Sequence, residues 1–306
     1  MRLHRAVDVE VDRFESNPLV APDADGGIGR NVNGPSVVRA PPWVDEPLGR
    51  YYMYFAHHGG DYVRLAYADD LRGPWQVHPP GTLHREETRF DGHVASPDVH
   101  VDREHRRVRM YFHGCCGPFD HPDGEFAQAT DVATSVDGLD FEVRGETLGN
   151  SYFRVWERGD RYYALANDGH LYRGSDPFEP FERRQELFAR NRHFAVRPVD
   201  DDRLQVFLTR RGDRPERLMT AVVDTAPPDE EWRADPHPPE TVLWPDRAYE
   251  GGDRPLATSG RGRVDGPVRA LRDPAVFEEG DRLYLFYAVA GERGIGGAEL
   301  RRAAGE

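Results

Sequence analysis

The sequence predicts an all-β chain folded as a five-bladed β-propeller of antiparallel sheets, and three observations carry that prediction. Helical periodicity is scarce, while 31 Gly and 25 Pro cut the chain into short segments, the pattern of many strands joined by turns. The 13 Tyr and 15 Phe gather in short clusters such as YYMYFA, MYFHG, RYYALA and RLYLFYA, and aromatic side chains favour pleated, half-buried surfaces. The segments also share one grammar: a polar or small start, a short apolar strand, a charged turn, then a second, aromatic strand. Repetition of a single antiparallel unit points to a propeller rather than to a sandwich with generic hairpins.

The 306 residues are read as one domain of five units. The first, GPSVVRAPPWVDEPLGRYYMYFAHH with the following VRLAYADD, occupies residues 31–80. The second, SPDVHVDREHRRVRMYFHG with QATDVATSVDG, occupies 93–145. SYFRVWERGDRYYALANDG and GHLYRGSD make the third, over 150–185. FAVRPVDDDRLQVFLTRRG and ERLMTAVVD make the fourth, over 192–240, and RDPAVFEEGDRLYLFYAVAGE with GIGGAEL the fifth, over 268–300. An N-terminal strand at 5–14, within VDVEVDRF, is expected to complete the last blade and close the ring.

Composition narrows the function. Asp and Glu number 54 against 40 basic residues, all of them Arg, for a net charge of −14. Such a surface repels phosphate backbones, which argues against general nucleic-acid binding. A high-salt proteome or a GC-rich genome would each produce this Lys-free bias. Cys115 and Cys116 are adjacent, so no disulfide framework is expected. No segment approaches the roughly 20 apolar residues that span a membrane, and no signal-peptide pattern opens the chain, so a cytoplasmic location is expected.

Antiparallel pairing sets the start of each unit's first strand beside the end of its second. Polar residues at those points then converge on one rim. They are Asn33, Ser36, His57 and His58 from the first unit, and His93, Asp98, His100 and His113 from the second. The third supplies Arg154, Asn167 and Asp168, the fourth His193, Arg210 and Arg211, and the fifth Arg272, Asp273 and Glu292. Strand ends are polar by default, but that does not explain why His gathers in the first two units.

ASPDV at 95–99, GPSVV at 34–38 and RDPAVF at 272–277 resemble the blade-opening motifs of five-bladed glycoside hydrolases around family 43, with relatives in families 32, 68, 117 and 130. The resemblance implies a glycosidase with a base Asp in blade one, an Asp in blade two that orients and tunes the acid, and an acid Glu in blade three. Asp98 matches the blade-two position. The blade-one position is Gly34, after Asn33, and the blade-three start NSYFRVW offers Ser151 and Arg154 instead of Glu.

A non-standard catalytic set is therefore expected: Asp273 as base, Asp98 as tuning residue and Glu250, in the loop PDRAYEGGDRPL, as acid. Glycoside hydrolysis needs one protonated and one ionised carboxyl group across the scissile bond. Glu292 competes for the acid role, as do His57, His58, His93 and His113, because imidazole titrates near working pH. Trp43, Trp156, Trp244 and Tyr249 are candidate platforms for a sugar ring. Arg154, Arg210, Arg211 and Arg272 suit a carboxylate or sulfate on it, so the expected partner is a carbohydrate, acidic or sulfated. No cofactor is required; the channel is also a place for a structural divalent cation such as Ca, and His100 and His113 are the candidate metal ligands. The alternative is a propeller that binds carbohydrate without cleaving it.

Overall fold

The structure, a computed structural model, describes residues 9–302 apart from positions 23, 25, 26, 168 and 235–238. Residues 5–8 of the expected closing strand 5–14, and Asp168, thus lie outside the described residues. After β1 (Val9–Arg13), blade 1 comprises β2 (Asn33–Arg39), β3 (Tyr51–Ala56), β4 (Tyr62–Ala68) and β5 (Gln76–His84). Blade 2 comprises β6 (His93–Asp102), β7 (Arg107–Phe119), β8 (Phe126–Ser135) and β9 (Glu142–Asn150). Blade 3 comprises β10 (Arg154–Arg158), β11 (Arg161–Leu165), β12 (His170–Gly174) and β13 (Glu182–Glu186). Blade 4 holds β14 (Asn191–Asp200), β15 (Arg203–Arg210) and β16 (Leu218–Asp224), whose outer edge pairs with two short pieces, β17 (Arg233–Ala234) and β18 (Glu240–Leu243). Blade 5 holds β19 (Arg272–Glu279), β20 (Arg282–Ala288) and β21 (Ile295–Arg302), with β1 as its fourth strand. All pairings within the five sheets are antiparallel, and β1 against β21 joins the start of the chain to its last blade.

The aromatic runs are continuous rather than alternating because each blade is buried on both faces. Successive side chains of a strand point to opposite sides. Tyr52 and Tyr54 enter the core between blades 1 and 2, whereas Tyr51, Met53 and Phe55 enter the core between blades 1 and 5. The same division places Met110 and Phe112 against blade 1 and Tyr111 against blade 3. Two further clusters fill the gaps between blades 3 and 4 and between blades 4 and 5.

The first strand of each blade is the innermost, and these strands touch around the axis: β19 with β2, β2 with β6, β10 with β14, β14 with β19. Three of them open with the same irregularity. The register slips between Asn33 and Ser36, between Ala95 and Asp98, and between Arg272 and Ala275. The residue before the proline has positive φ in each case: Gly34 at 59°, Ser96 at 51° and Asp273 at 46°. This is a β-bulge, which re-aims side chains at a sheet edge. Gly34 is the one of the three without a side chain, and a Cβ there would approach Ser96 Cα at 3.4 Å. Tyr152, just before β10, also has positive φ (69°). Non-glycine residues held so cost about 1–3 kcal/mol each and concentrate at functional sites.

Candidate functional site

The bulges decide which side chains face the axis. Ala95, Ser96 and Asp273 line a pocket of about 240 Å³ at one end of the channel, together with Asn33, His58, His93, His113, Tyr152, Asn167, Arg192, His193, Arg211, Arg261 and Glu292. A larger groove, of about 1100 Å³, runs over outer strands near His84, Arg107, Arg144 and Phe178. The axial pocket is the candidate site, because the buried, mutually perturbed ionisable groups gather there.

Asp273 is its centre. The Tyr152 hydroxyl donates to Asp273 Oδ1 at 3.0 Å, and His193 Nε2 lies 3.2 Å from the same oxygen. The backbone N–H of Asp273 donates to His193 Nδ1 at 3.2 Å, which leaves the ring proton on Nε2, facing the carboxyl. Burial, then the neighbouring Glu292 charge, pushes the Asp273 carboxyl up to about 6. Burial also pushes His193 well below its ordinary value, helped by Arg192 and Arg272, so the ring is neutral.

Glu292 has the opposite environment. Its burial raises it, but His58, Arg272 and Asn31 outweigh that and hold it down at about 2. Arg272 Nη1 donates to its Oε1 at 2.8 Å, and Asn31 Nδ2 to its Oε2 at 2.6 Å. One pocket thus contains a carboxyl pushed up and a carboxylate held down.

Aromatic and imidazole rings form a belt round the wall. His58 is followed by His93 at 6.4 Å between centroids, His113 at 5.6 Å, Tyr152 at 6.0 Å and His193 at 4.9 Å. Burial lowers His93 and His113 before neighbouring charges do, so both are neutral near pH 7. The tryptophans expected as platforms lie outside this pocket. Trp156 is buried against Tyr163 and Trp232 in the core between blades 3 and 4. Trp43 donates to Val136 O, and Trp244 lies against Arg217.

Several residues expected at the rim are used elsewhere. Asp98 is outside the pocket because the bulge at Ser96 turns its carboxylate towards blade 3. There Oδ2 accepts the Val155 N–H at 2.8 Å and lies 3.0 Å from His100 Nε2. Ser36, at the matching place in blade 1, accepts the Val99 N–H at 3.0 Å. Both residues fasten one inner strand to the next. Arg154 is buried under the ring of Tyr152 and donates to the carbonyls of Ser96, Pro97, Phe153 and Phe194, so it holds the site's floor and does not face a ligand. Arg272 is likewise buried, between Glu216 (2.9 Å) and Glu292.

Glu250 is not the acid of this pocket. Its carboxylate is fully buried, accepts from Arg13 Nε at 2.8 Å and from the Asp246 and Arg247 N–H groups, and meets the Tyr287 hydroxyl at 3.2 Å. The turn Ala248–Glu250 folds it back onto β1, the outer strand of blade 5. Tyr249, hydrogen-bonded to Asn17 at 3.1 Å, follows it there. His57 and Arg210 are half-buried beside the rim and do not line the pocket. His100 and His113 do not converge as ligands, and among the described residues no group of three or more His, Cys, Asp or Glu is placed to hold a metal ion.

Tyr152, Ser96, Arg192 and Arg261 complete the site without having been singled out. Tyr152 reads as a core aromatic in NSYFRVW; its positive φ, invisible in a sequence, is what turns it inward. Among the described residues no helix is long and apolar enough to cross a membrane.

Fold and site together define a five-bladed β-propeller with an ionisable axial pocket, and the fold is shared with several solved glycoside hydrolases. A GH130 structure, of a family of mannoside phosphorylases containing glycoside hydrolases that target β-1,2 mannosidic linkages in Candida mannan, aligns with a TM-score of 0.67 and 11% identity, covering 100% of this chain and 98% of that one. CoXyl43, a GH43 β-xylosidase/α-arabinofuranosidase from a compost microbial metagenome, gives 0.60 at 13% identity over 97% and 96%. The catalytic domain of Coprinopsis cinerea GH62 α-L-arabinofuranosidase gives 0.58 at 15% over 98% and 99%. At these identities the likeness is one of fold. No family model matches the chain. It belongs to the family of the uncharacterized protein R118 of Acanthamoeba polyphaga mimivirus, to which it is 32% identical over 329 residues, 95% of this chain and 90% of that protein.

Proposed function

We propose that the chain is a glycosidase that cleaves a glycosidic bond of a carbohydrate, acidic or sulfated, in the axial pocket. The observation that carries the reading is the pair Asp273 and Glu292: two buried carboxyl groups in one pocket, one pushed up to about 6 and one held at about 2. Environments that push two carboxyls apart separate an acid from a base. In this reading Asp273 is the general acid, donating its proton to the leaving oxygen, with Tyr152 and His193 orienting it. That replaces the base role expected for it from the sequence, since a carboxyl with raised pKa keeps its proton. Glu292 is the ionised partner, which polarises a water or steadies positive charge developing on the sugar. The structural neighbours, whose names describe glycoside hydrolases, support the same class.

The test is hydrolysis of a panel of aryl glycosides and oligosaccharides. Asp273→Asn is expected to lower kcat by about 10²–10⁴, the usual contribution of a positioned acid. Full activity in that variant sinks the reading.

One observation favours the non-catalytic alternative: both Glu292 oxygens are already engaged, by Arg272 and Asn31. Binding of a glycan with no product released by the unaltered protein would select it.

A further inference from the structure

The pocket contains more positive charge than its own carboxylates use. Arg272 takes two glutamates, Glu216 behind the pocket wall at 2.9 Å and Glu292 in the wall at 2.8 Å. Arg192, 6% exposed, stands farther from the same two, at 3.6 and 3.9 Å, and its Nε has no hydrogen-bond partner. Arg211 and Arg261 line the pocket, and among the described residues neither has a carboxylate within ion-pair distance.

These guanidiniums are held together by construction. Arg192 donates through Nη1 to Gly260 O and through Nη2 to Gly262 O at 2.6 Å, the two carbonyls that flank Arg261. Gly212 N–H donates to Ser259 O at 3.0 Å and Ser259 N–H to Asp213 O at 2.9 Å, which ties the Arg261 loop to the turn after Arg211. Ser259 Oγ also donates to the buried Glu216 at 2.6 Å. Like charges are thus fixed side by side: burial, then the charges of Arg261 and Arg192, push the Arg211 guanidinium down. The carboxylates nearest the cluster, Glu216 and Glu292, are held at closer range by Arg272, and Glu216 only partly offsets the charges that push Arg211 down.

We propose that Arg211 and Arg261, braced by Arg192, form a subsite for an oxyanion: the carboxylate, sulfate or phosphate of a charged sugar, or free inorganic phosphate. Guanidinium forks match such groups with paired, charge-assisted hydrogen bonds, and an anion relieves the mutual repulsion of the cluster. The subsite lies beside Asp273, so a charged group seated there would fix the sugar's orientation against the proton donor. The assignment of that sugar to turnover rests on the glycosidase reading; the subsite itself does not.

Calorimetric titration of the intact protein with sodium sulfate and with inorganic phosphate, at low ionic strength, tests it. Both anions are expected to bind at one site. The double variant Arg211→Ala, Arg261→Ala is expected to weaken them about tenfold or more, the loss of charge-assisted hydrogen bonds. Two arms then separate the sources. A uronide or sulfated aryl glycoside cleaved in preference to its neutral counterpart, with the preference lost in the double variant, assigns the anion to the substrate. A sugar phosphate formed only when phosphate is added assigns it to the free ion. Absence of sulfate and phosphate binding, or binding unchanged in the double variant, overturns the subsite. Anion binding with full activity in Asp273→Asn instead overturns the glycosidase reading and leaves the subsite standing.

Discussion

Asp273 joins strain, burial and charge at one position, and each has a measurable consequence. A carboxyl with a pKa of about 6 donates a proton below that pH and loses the ability above it, while Glu292 stays ionised down to about 2. The kcat/KM profile is therefore expected to fall as pH rises through about 6, with the acid limb set far lower. A profile rising through 6 would make Asp273 a base. The same shift bears on stability. Folding raises the Asp273 pKa from 3.8 to about 6, so the native state binds the proton more tightly than the unfolded chain, and stability is lost as pH rises across that interval. The rise corresponds to about 3 kcal/mol at neutral pH. Asp273→Asn should consequently melt higher than the unaltered protein at pH 8 and close to it at pH 4. Glu250 shows the contrary case, a buried carboxylate with a structural task. Glu250→Gln is expected to cost about 1–3 kcal/mol in denaturant unfolding, because Arg13 and two backbone N–H groups lose their charged acceptor. The pH profile of turnover should stay in place.

At the scale of elements, the inner strands do the positioning. One bulge, repeated at Asn33–Ser36, Ala95–Asp98 and Arg272–Ala275, presents Ser96 and Asp273, the residues before the proline in blades 2 and 5, to the pocket and turns the residue after the proline towards a neighbouring blade. Asp98→Ala removes the acceptor for Val155 N–H and should lower stability by about 1–3 kcal/mol, by thermal or denaturant unfolding, without moving the pH dependence. A shifted profile would return Asp98 to the tuning role its motif suggests. β1 is the other element with a single clear duty. Its pairing covers the edge of β21, and an uncovered edge strand is a template for association. A chain lacking residues 1–13 is expected to aggregate and unfold at lower temperature, as light scattering and calorimetry would show.

Over the whole molecule, 54 acidic residues against 40 Arg make self-repulsion the dominant long-range force. Raising NaCl from about 0.05 M to about 1 M shortens the Debye length to about 3 Å and is expected to raise Tm. The architecture was legible in the sequence because it is written in local pattern. Aromatic runs such as YYMYFA need burial on both faces, and their recurrence with charged turns needs a closed ring of sheets. His58, Asp273 and Glu292 were legible too, since antiparallel pairing alone puts strand starts and strand ends together. Asp98, Tyr152 and Glu250 were not. A one-residue bulge reverses the side on which a side chain emerges, and a turn's return path depends on the surface it packs against. The Arg192–Arg211–Arg261 cluster required contact between blade 4 and the loop before blade 5, about seventy residues apart at its extremes. By itself the sequence determined the strands, their repetition and the acidic, all-arginine surface, because those follow from neighbours along the chain. The tertiary structure alone decided which ionisable groups share the pocket and what charge each bears, because burial and proximity are set by residues distant in sequence.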